Sequence, residues 1–297
     1  MLNYFNNYIN ASGHSYSCDM IRLKFEYKKE NEFDMLHFLN SNVMMLDLDV
    51  DIKYYQSFRP SDFRHLFVIS QIYKVFDTPI EYSFVIGVLH NCDTDKDSLK
   101  GFIEFNPNKC NLSVVTEYMK IIKEFSNNLG YGLHFELVRY DLAIDIKVPK
   151  TMIKLIKEGK RTYQYIQGKT VTEYLGIKHT DGYAKLYDKR EEAGLDYDLA
   201  RLEITCTSLD KVALPRVSLV DCQFSLDMEL TKTDAVLVSL IRQQPEHEQQ
   251  YYLGQLGRTK RDKLRPYING ESAILQYDRK GILHVQDIVK DAMRIIF

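Results

Sequence analysis

A chain of 297 residues, 45% apolar and 27% charged, can bury one large core or two moderate ones as an ordinary globular protein. No apolar run approaches the roughly 18 residues of a membrane span, and Met1–Met20 lacks the basic-then-apolar pattern of a secretory signal. A cytoplasmic protein with no membrane partner is therefore expected. Five scattered cysteines without a CxxC pair read as reduced thiols, which sets aside a disulfide framework or a zinc knuckle. The net charge of −2 argues against a nucleic-acid protein taken globally. Its distribution does not, because Lys150 to Arg190 carries ten bases against four acids, and Arg258, Lys260, Arg261, Lys263 and Arg265 form a second cluster.

The chain opens with a polar, Asn-rich lead-in, and MIRLKFEY (Met20–Tyr27) alternates as a strand. Asn31–Asn40 has the apolar spacing of a helix. Strand-rich segments follow, broken at Pro60, Asp77–Pro79 and Gly87, and then GFIEFNPNK, a short strand ending in an Asn-Pro turn. Leu112–Leu129 keeps helical spacing until Gly130 and Gly132 stop it. A helix is predicted at Thr151–Gly159. Beyond 206 the texture changes to helical segments at Lys232–Arg242, Pro245–Leu256, Asp262–Ile268 and Val285–Ile296, with a small hairpin around Lys280–Gly281. The expected class is α+β, an antiparallel or mixed sheet in residues 1–206 followed by a mainly helical part in 207–297.

The chemistry concentrates in three strands between Leu137 and Thr205. On LVRYDLAIDI, Arg139, Asp141, Ala143 and Asp145 share one face. On AKLYDK, Lys185, Tyr187 and Lys189 share a face, and on ARLEITC so do Arg201 and Glu203. Asp141 and Asp145 lie about 13 Å apart along their strand, so one could ligate a metal ion while the other pairs with a cation. Glu203 and Glu104 are further carboxylate candidates, and oxygen ligands suit Mg²⁺ or Mn²⁺. Tyr187, flanked by Lys185 and Lys189, and Tyr174 are the nucleophile candidates, the lysines favouring a phenolate and holding a phosphate. No HxH or HxxxH pair, P-loop, GxGxxG or GxSxG occurs, which leaves histidine-metal, nucleotide-binding and serine-hydrolase chemistry without a foothold.

RYDLAID, TEYLGIKHTDGYAKLYDKREE and RLEI, in that order, resemble the Rep-trans family of replication initiation factors. The family pattern is an R-x-D-x-A-x-D strand, a Y-x-G-S-R-x-S turn, an R-x-Y-D/E-K strand and an R-x-E strand. FIEFNPNK is similar to the upstream strand of that family. This chain departs at Gly176–Thr180 and has Lys185 where Arg is usual. The resemblance implies a nicking and ligating enzyme that attacks one strand of an origin hairpin. A 5′-phosphotyrosine and a free 3′-OH result, with carboxylates holding the divalent metal. By position in the Y-D/E-K strand, the implied nucleophile is Tyr187, with Tyr174 in reserve. Implied partners are origin DNA, a host polymerase and helicase, and a second copy of the chain. A relaxase with the same chemistry and a non-catalytic origin-binding protein are the alternatives. The C-terminal basic cluster is expected on duplex phosphates.

Overall fold

The apolar residues of the second strand alternate, but the alternation changes phase once. Tyr16 and Cys18 are buried on even positions, Ile21, Leu23, Phe25 and Tyr27 on odd ones. The phase changes at a register shift between Cys18 and Met20 against the neighbouring strand. An extra residue of this kind is a β-bulge, which lets one strand keep a single buried face while re-aiming a side chain, here Asp19, to the other.

The computed structural model describes residues 7–41, 50–75, 78–93, 96–110, 112–128, 133–156, 162–167, 170–219, 231–242, 244–269 and 273–296. The elements run β1 (Tyr8–Ile9), β2 (Ser15–Lys28), α1 (Glu32–Ser41), β3 (Val50–Gln56), β4 (Phe63–Val75), β5 (Thr78–His90), β6 (Ser98–Phe105), α2 (Leu112–Asn128) and β7 (Glu136–Ile146). Then come β8 (Ile153–Leu155), β9 (Thr162–Gln167), β10 (Thr170–Leu175), β11 (Ala184–Asp188), α3 (Lys189–Ala193) and β12 (Ala200–Cys206). The chain continues with β13 (Val217–Leu219), α4 (Lys232–Arg242), α5 (Glu246–Gly254), α6 (Arg258–Asn269), β14 (Ala273–Ile274) and α7 (Arg279–Ile296).

Eleven of the described strands form one antiparallel sheet in the order β3-β4-β5-β6-β2-β7-β12-β11-β10-β9, with β1 pairing beside β2. The fold is thus α+β, as its sequence suggests. Its apolar face packs on Val115, Met119 and Ile122 of α2 and on Val285, Val289 and Ala292 of α7. Each Val, Met or Ile side chain among them contributes about 1.5–3 kcal/mol on burial, so the helices fix which face stays open. The open face carries the charged residues of β7, β11 and β12.

Two local expectations change. Residues 151–156 of the helix expected at Thr151–Gly159 are not α-helical, and 157–159 lie outside the described residues: a 3₁₀ turn at Lys150–Met152 leads into β8, which pairs with β13 in a second, three-stranded sheet. The turn is anchored by buried Lys150, whose Nζ lies 2.5 Å from Oε1 of Glu173, while Oε2 of Glu173 accepts the Leu155 amide. The hairpin expected at Lys280–Gly281 is the first turn of α7. Asp278 caps it by accepting the Lys280 amide, and its own amide donates to the Tyr16 hydroxyl at 2.8 Å. Gly281 is required there because a Cβ would lie 2.5 Å from Cγ of Tyr16.

Within 207–297, β13, β14 and α7 flank or join the main core through Val217, Leu275 and the α7 residues. Helices α4 to α6 gather a separate cluster of Val238, Ile241, Leu253, Leu264 and Ile268. Cys18, Cys92, Cys110 and Cys206 are free thiols; Cys222 lies outside the described residues. Among the described residues no helix is long and apolar enough to cross a membrane.

Candidate active site

Strands β7, β12, β11 and β10 are consecutive neighbours, so their outward residues form transverse rows. One row is Ala143–Glu203–Lys185–Tyr174, and the next is Asp145–Arg201–Tyr187. Asp141 stands opposite Thr205, diagonal to Glu203. Strand pairing thus brings Asp141, Glu203, Lys185, Tyr187 and Tyr174 together from segments far apart in sequence.

Tyr187 is 7% exposed, and its hydroxyl donates to Oε1 of Glu203 at 2.6 Å. Lys185 lies 3.4 Å from Oε2 of the same carboxylate, and its Nζ sits 4.0 Å from the Tyr187 ring centroid. Burial and then the Glu203 charge push the Tyr187 phenol well above its ordinary value. The sequence expectation that the flanking lysines favour the phenolate is therefore outweighed in this state. Lys189 is the first residue of α3 and pairs with Glu192, while Asp188 caps the helix by accepting the Glu191 amide at 3.2 Å. Tyr174 is half-buried, its ring stacked 6.2 Å from Tyr183.

The four candidate carboxylates separate into two kinds. Asp145 receives both Nε and NH2 of Arg201, at 2.6 and 2.8 Å, and Glu104 receives Arg22 at 2.6 and 2.7 Å with Arg139 at 3.5 Å. These two are neutralised by guanidinium groups. Asp141 instead accepts from a neutral donor, the Thr205 hydroxyl, at 3.0 Å. Burial is the main force raising its carboxyl to about 6, with Glu203 and Glu104 adding repulsion against the opposing pull of Arg139 and Thr205. Among the described residues no group of three or more His, Cys, Asp or Glu side chains converges on an ion position. Glu203 pairs with Lys185 at 3.4 Å and accepts from Tyr187, so it and Asp141 are the two candidate carboxylates without a guanidinium partner and the remaining hard oxygen donors. That number fits Mg²⁺ or Mn²⁺, which complete their shells with substrate phosphate and water.

The basic cluster falls on α6. Lys260 and Lys263 reach Asp234 of α4 at 3.3 and 3.1 Å, so these two hold the helices together. Arg258 and Arg265 are exposed, Arg258 lying 3.9 Å from Asp262, and Arg261 is half-buried.

Several members of the network escape a reading by strand faces alone. Asp19 accepts from Asn106 at 3.1 Å and lies 3.5 Å from Arg201; only the phase change of β2 signals it. Arg22 is on the open face of MIRLKF. His179 contacts Arg139 across the turn with a left-handed backbone, φ 69°. Burial and the nearby Arg139, Lys178 and Arg22 hold its imidazole below its usual value.

No family model and no curated protein matches the chain. Among solved structures, the rolling circle replication initiator protein from Geobacillus stearothermophilus aligns at a TM-score of 0.35 and 11% identity, covering 95% of this chain and 97% of that one. A likeness at that level carries no weight for activity.

Proposed function

We propose that the chain is a rolling-circle replication initiator that nicks and religates one DNA strand at an origin, with Tyr187 as nucleophile. The observation that supports it most is the 2.6 Å hydrogen bond from Tyr187 to Glu203, which joins the Y-D/E-K and R-x-E segments on an open sheet face.

In this reading the Tyr187 oxygen attacks the scissile phosphorus as its proton passes to Glu203. The P–O3′ bond breaks and the 3′ oxygen leaves as a hydroxyl after taking up a proton from water. The 5′-phosphotyrosine keeps the bond energy, so the reverse attack religates without ATP. Asp141 and Glu203 would hold Mg²⁺ or Mn²⁺, whose chemistry is to neutralise a phosphate oxygen and polarise the phosphorus. Lys185 compensates charge beside the phenol. The arginine pairs at Asp145 and Glu104 fix strand geometry around the reacting groups, which matters because small misplacements erode rate steeply. Arg258 and Arg265 in the C-terminal part contact duplex phosphates. A relaxase would use the same chemistry.

The test is nicking of supercoiled origin DNA with and without Mn²⁺, together with detection of a covalent protein–DNA adduct. Nicking and an adduct that both require Tyr187 support the reading; an intact supercoil under all metal conditions overturns it.

A further inference from the structure

The open face does not stop at the reacting residues. From Glu104 it continues through directly opposed residues, Glu104–Val85–Val68–Lys53 in one row and Phe102–Gly87–Leu66–Tyr55 in the next. Phe102 lies flat on Gly87, where a Cβ would meet its ring at 2.1 Å, and the Arg22 guanidinium sits 4.3 Å from its centroid. The surface is therefore continuous from the candidate active site to edge strand β3. From β12 to β3 there are six strand spacings, roughly 29 Å at about 4.8 Å each.

At that far end Tyr55 is 52% exposed and Phe58 71%. The Arg64 guanidinium lies 5.9 Å from the Phe58 centroid, and exposed Arg59 and Lys53 flank the rings. Two acids are present: Asp51, 3.9 Å from Lys53, and Asp62, which accepts from the Ser57 and Ser61 hydroxyls. Loop 57–62 is fixed by Asn91, whose amide nitrogen donates to Ser57 O and Arg59 O at 3.1 and 2.8 Å and whose oxygen accepts from Arg64. A single exposed ring means little. Two rings interleaved with three cations, on a braced loop continuous with the reacting face, have the make-up of a stacking platform.

We infer that Tyr55, Phe58, Arg59 and Arg64 bind single-stranded DNA running along the open face toward Tyr187. This rests on the strand-transfer reading and extends it. Bases stacked in a duplex hide their faces, so exposed rings select unpaired strand, and the guanidinium groups meet phosphates or stack in turn.

The experiment is fluorescence anisotropy of the full chain with labelled oligo-dT and with labelled duplex, across a salt series. Tyr55→Ala and Phe58→Ala should each weaken oligo-dT binding by about 5- to 150-fold, with Phe58→Trp restoring it and duplex affinity unchanged. Arg59→Ala should flatten the single-strand salt slope by about 0.7. Oligo-dT affinity unchanged in both alanine variants, with nicking intact, overturns the platform and leaves the initiator reading standing. Altered sedimentation of the variants without altered oligo-dT affinity would assign the edge to self-association and also overturn it. Oligo-dT binding that falls in both alanine variants, in a wild-type chain that forms no adduct, keeps the platform and removes the initiator reading.

Discussion

The Tyr187 hydroxyl and the Glu203 carboxylate, 2.6 Å apart, form a donor–acceptor pair in which burial raises the phenol's proton affinity and the carboxylate charge adds to it. Tyr187→Phe removes the proposed nucleophile with little change in volume. Nicking and the covalent adduct should vanish, while origin affinity stays within a factor of about two and stability changes by about 1 kcal/mol. An adduct that survives in this variant and disappears in Tyr174→Phe would transfer the role to Tyr174.

Asp141 offers a test through pH. Its folded-state carboxyl titrates at about 6 against an ordinary 3.8, so the folded chain binds this proton more tightly than the unfolded chain. The site therefore costs stability above pH 6, and the cost fades as pH falls toward 4. Asp141→Asn should be more stable than wild type at pH 8 by on the order of 2–3 kcal/mol, with a smaller gain at pH 5. Urea melts of both chains across this range decide it. A gain that grows toward acid would mean that the carboxyl is not raised.

The carboxylates should split by role. Asp141→Asn and Glu203→Gln are expected to abolish Mn²⁺-dependent cleavage in a folded protein. Asp145→Asn strands Arg201, which is 13% exposed at its side chain, and should lose roughly 3 kcal/mol of stability. Equal melting temperatures for Asp145→Asn and wild type would contradict that assignment.

On α6, Arg258→Ala with Arg265→Ala should flatten the salt dependence of duplex binding by about 0.9 for each phosphate no longer neutralised. Cleavage of a single-stranded origin oligonucleotide should persist. Lys260→Ala with Lys263→Ala instead uncovers Asp234 and should lower helical stability. A slope unchanged in the arginine pair would remove α6 from the DNA interface.

Gly281→Ala should destabilise the fold by about 1–3 kcal/mol through the clash with Tyr16, although alanine is the better helix former by about 1 kcal/mol. A raised Tm would show that α7 does not press on the ring.

Much of the fold was legible where one period ruled. The helices near 32–41, 112–128 and 232–242 follow apolar spacing, and β7, β11 and β12 follow alternation. The candidate site was legible for the same reason, since strand parity alone puts Asp141, Lys185, Tyr187 and Glu203 on outward faces. What alternation cannot supply is who stands beside whom. The pairing of Asp145 with Arg201 depends on strand register, and the β2 bulge that turns Asp19 outward is a single extra residue. The strand at 153–155 owes its conformation to long-range partners, Glu173 and β13, and the first turn of α7 was hidden by a glycine that serves packing.

The clasp between Gly281 and Tyr16 also bears on the order in which the chain can assemble. Strand β2 is made long before α7, yet it lies between β6 and β7, and its apolar face is covered in part by α7. A nascent chain arrested before Arg279 would carry a strand of large apolar residues without the helix that covers it. Closure of the central sheet is expected to await synthesis of α7, as contacts between distant segments slow folding. A chain terminated before α7 would then present Asp141, Tyr187 and Glu203 on a sheet whose opposite face lacks that helix.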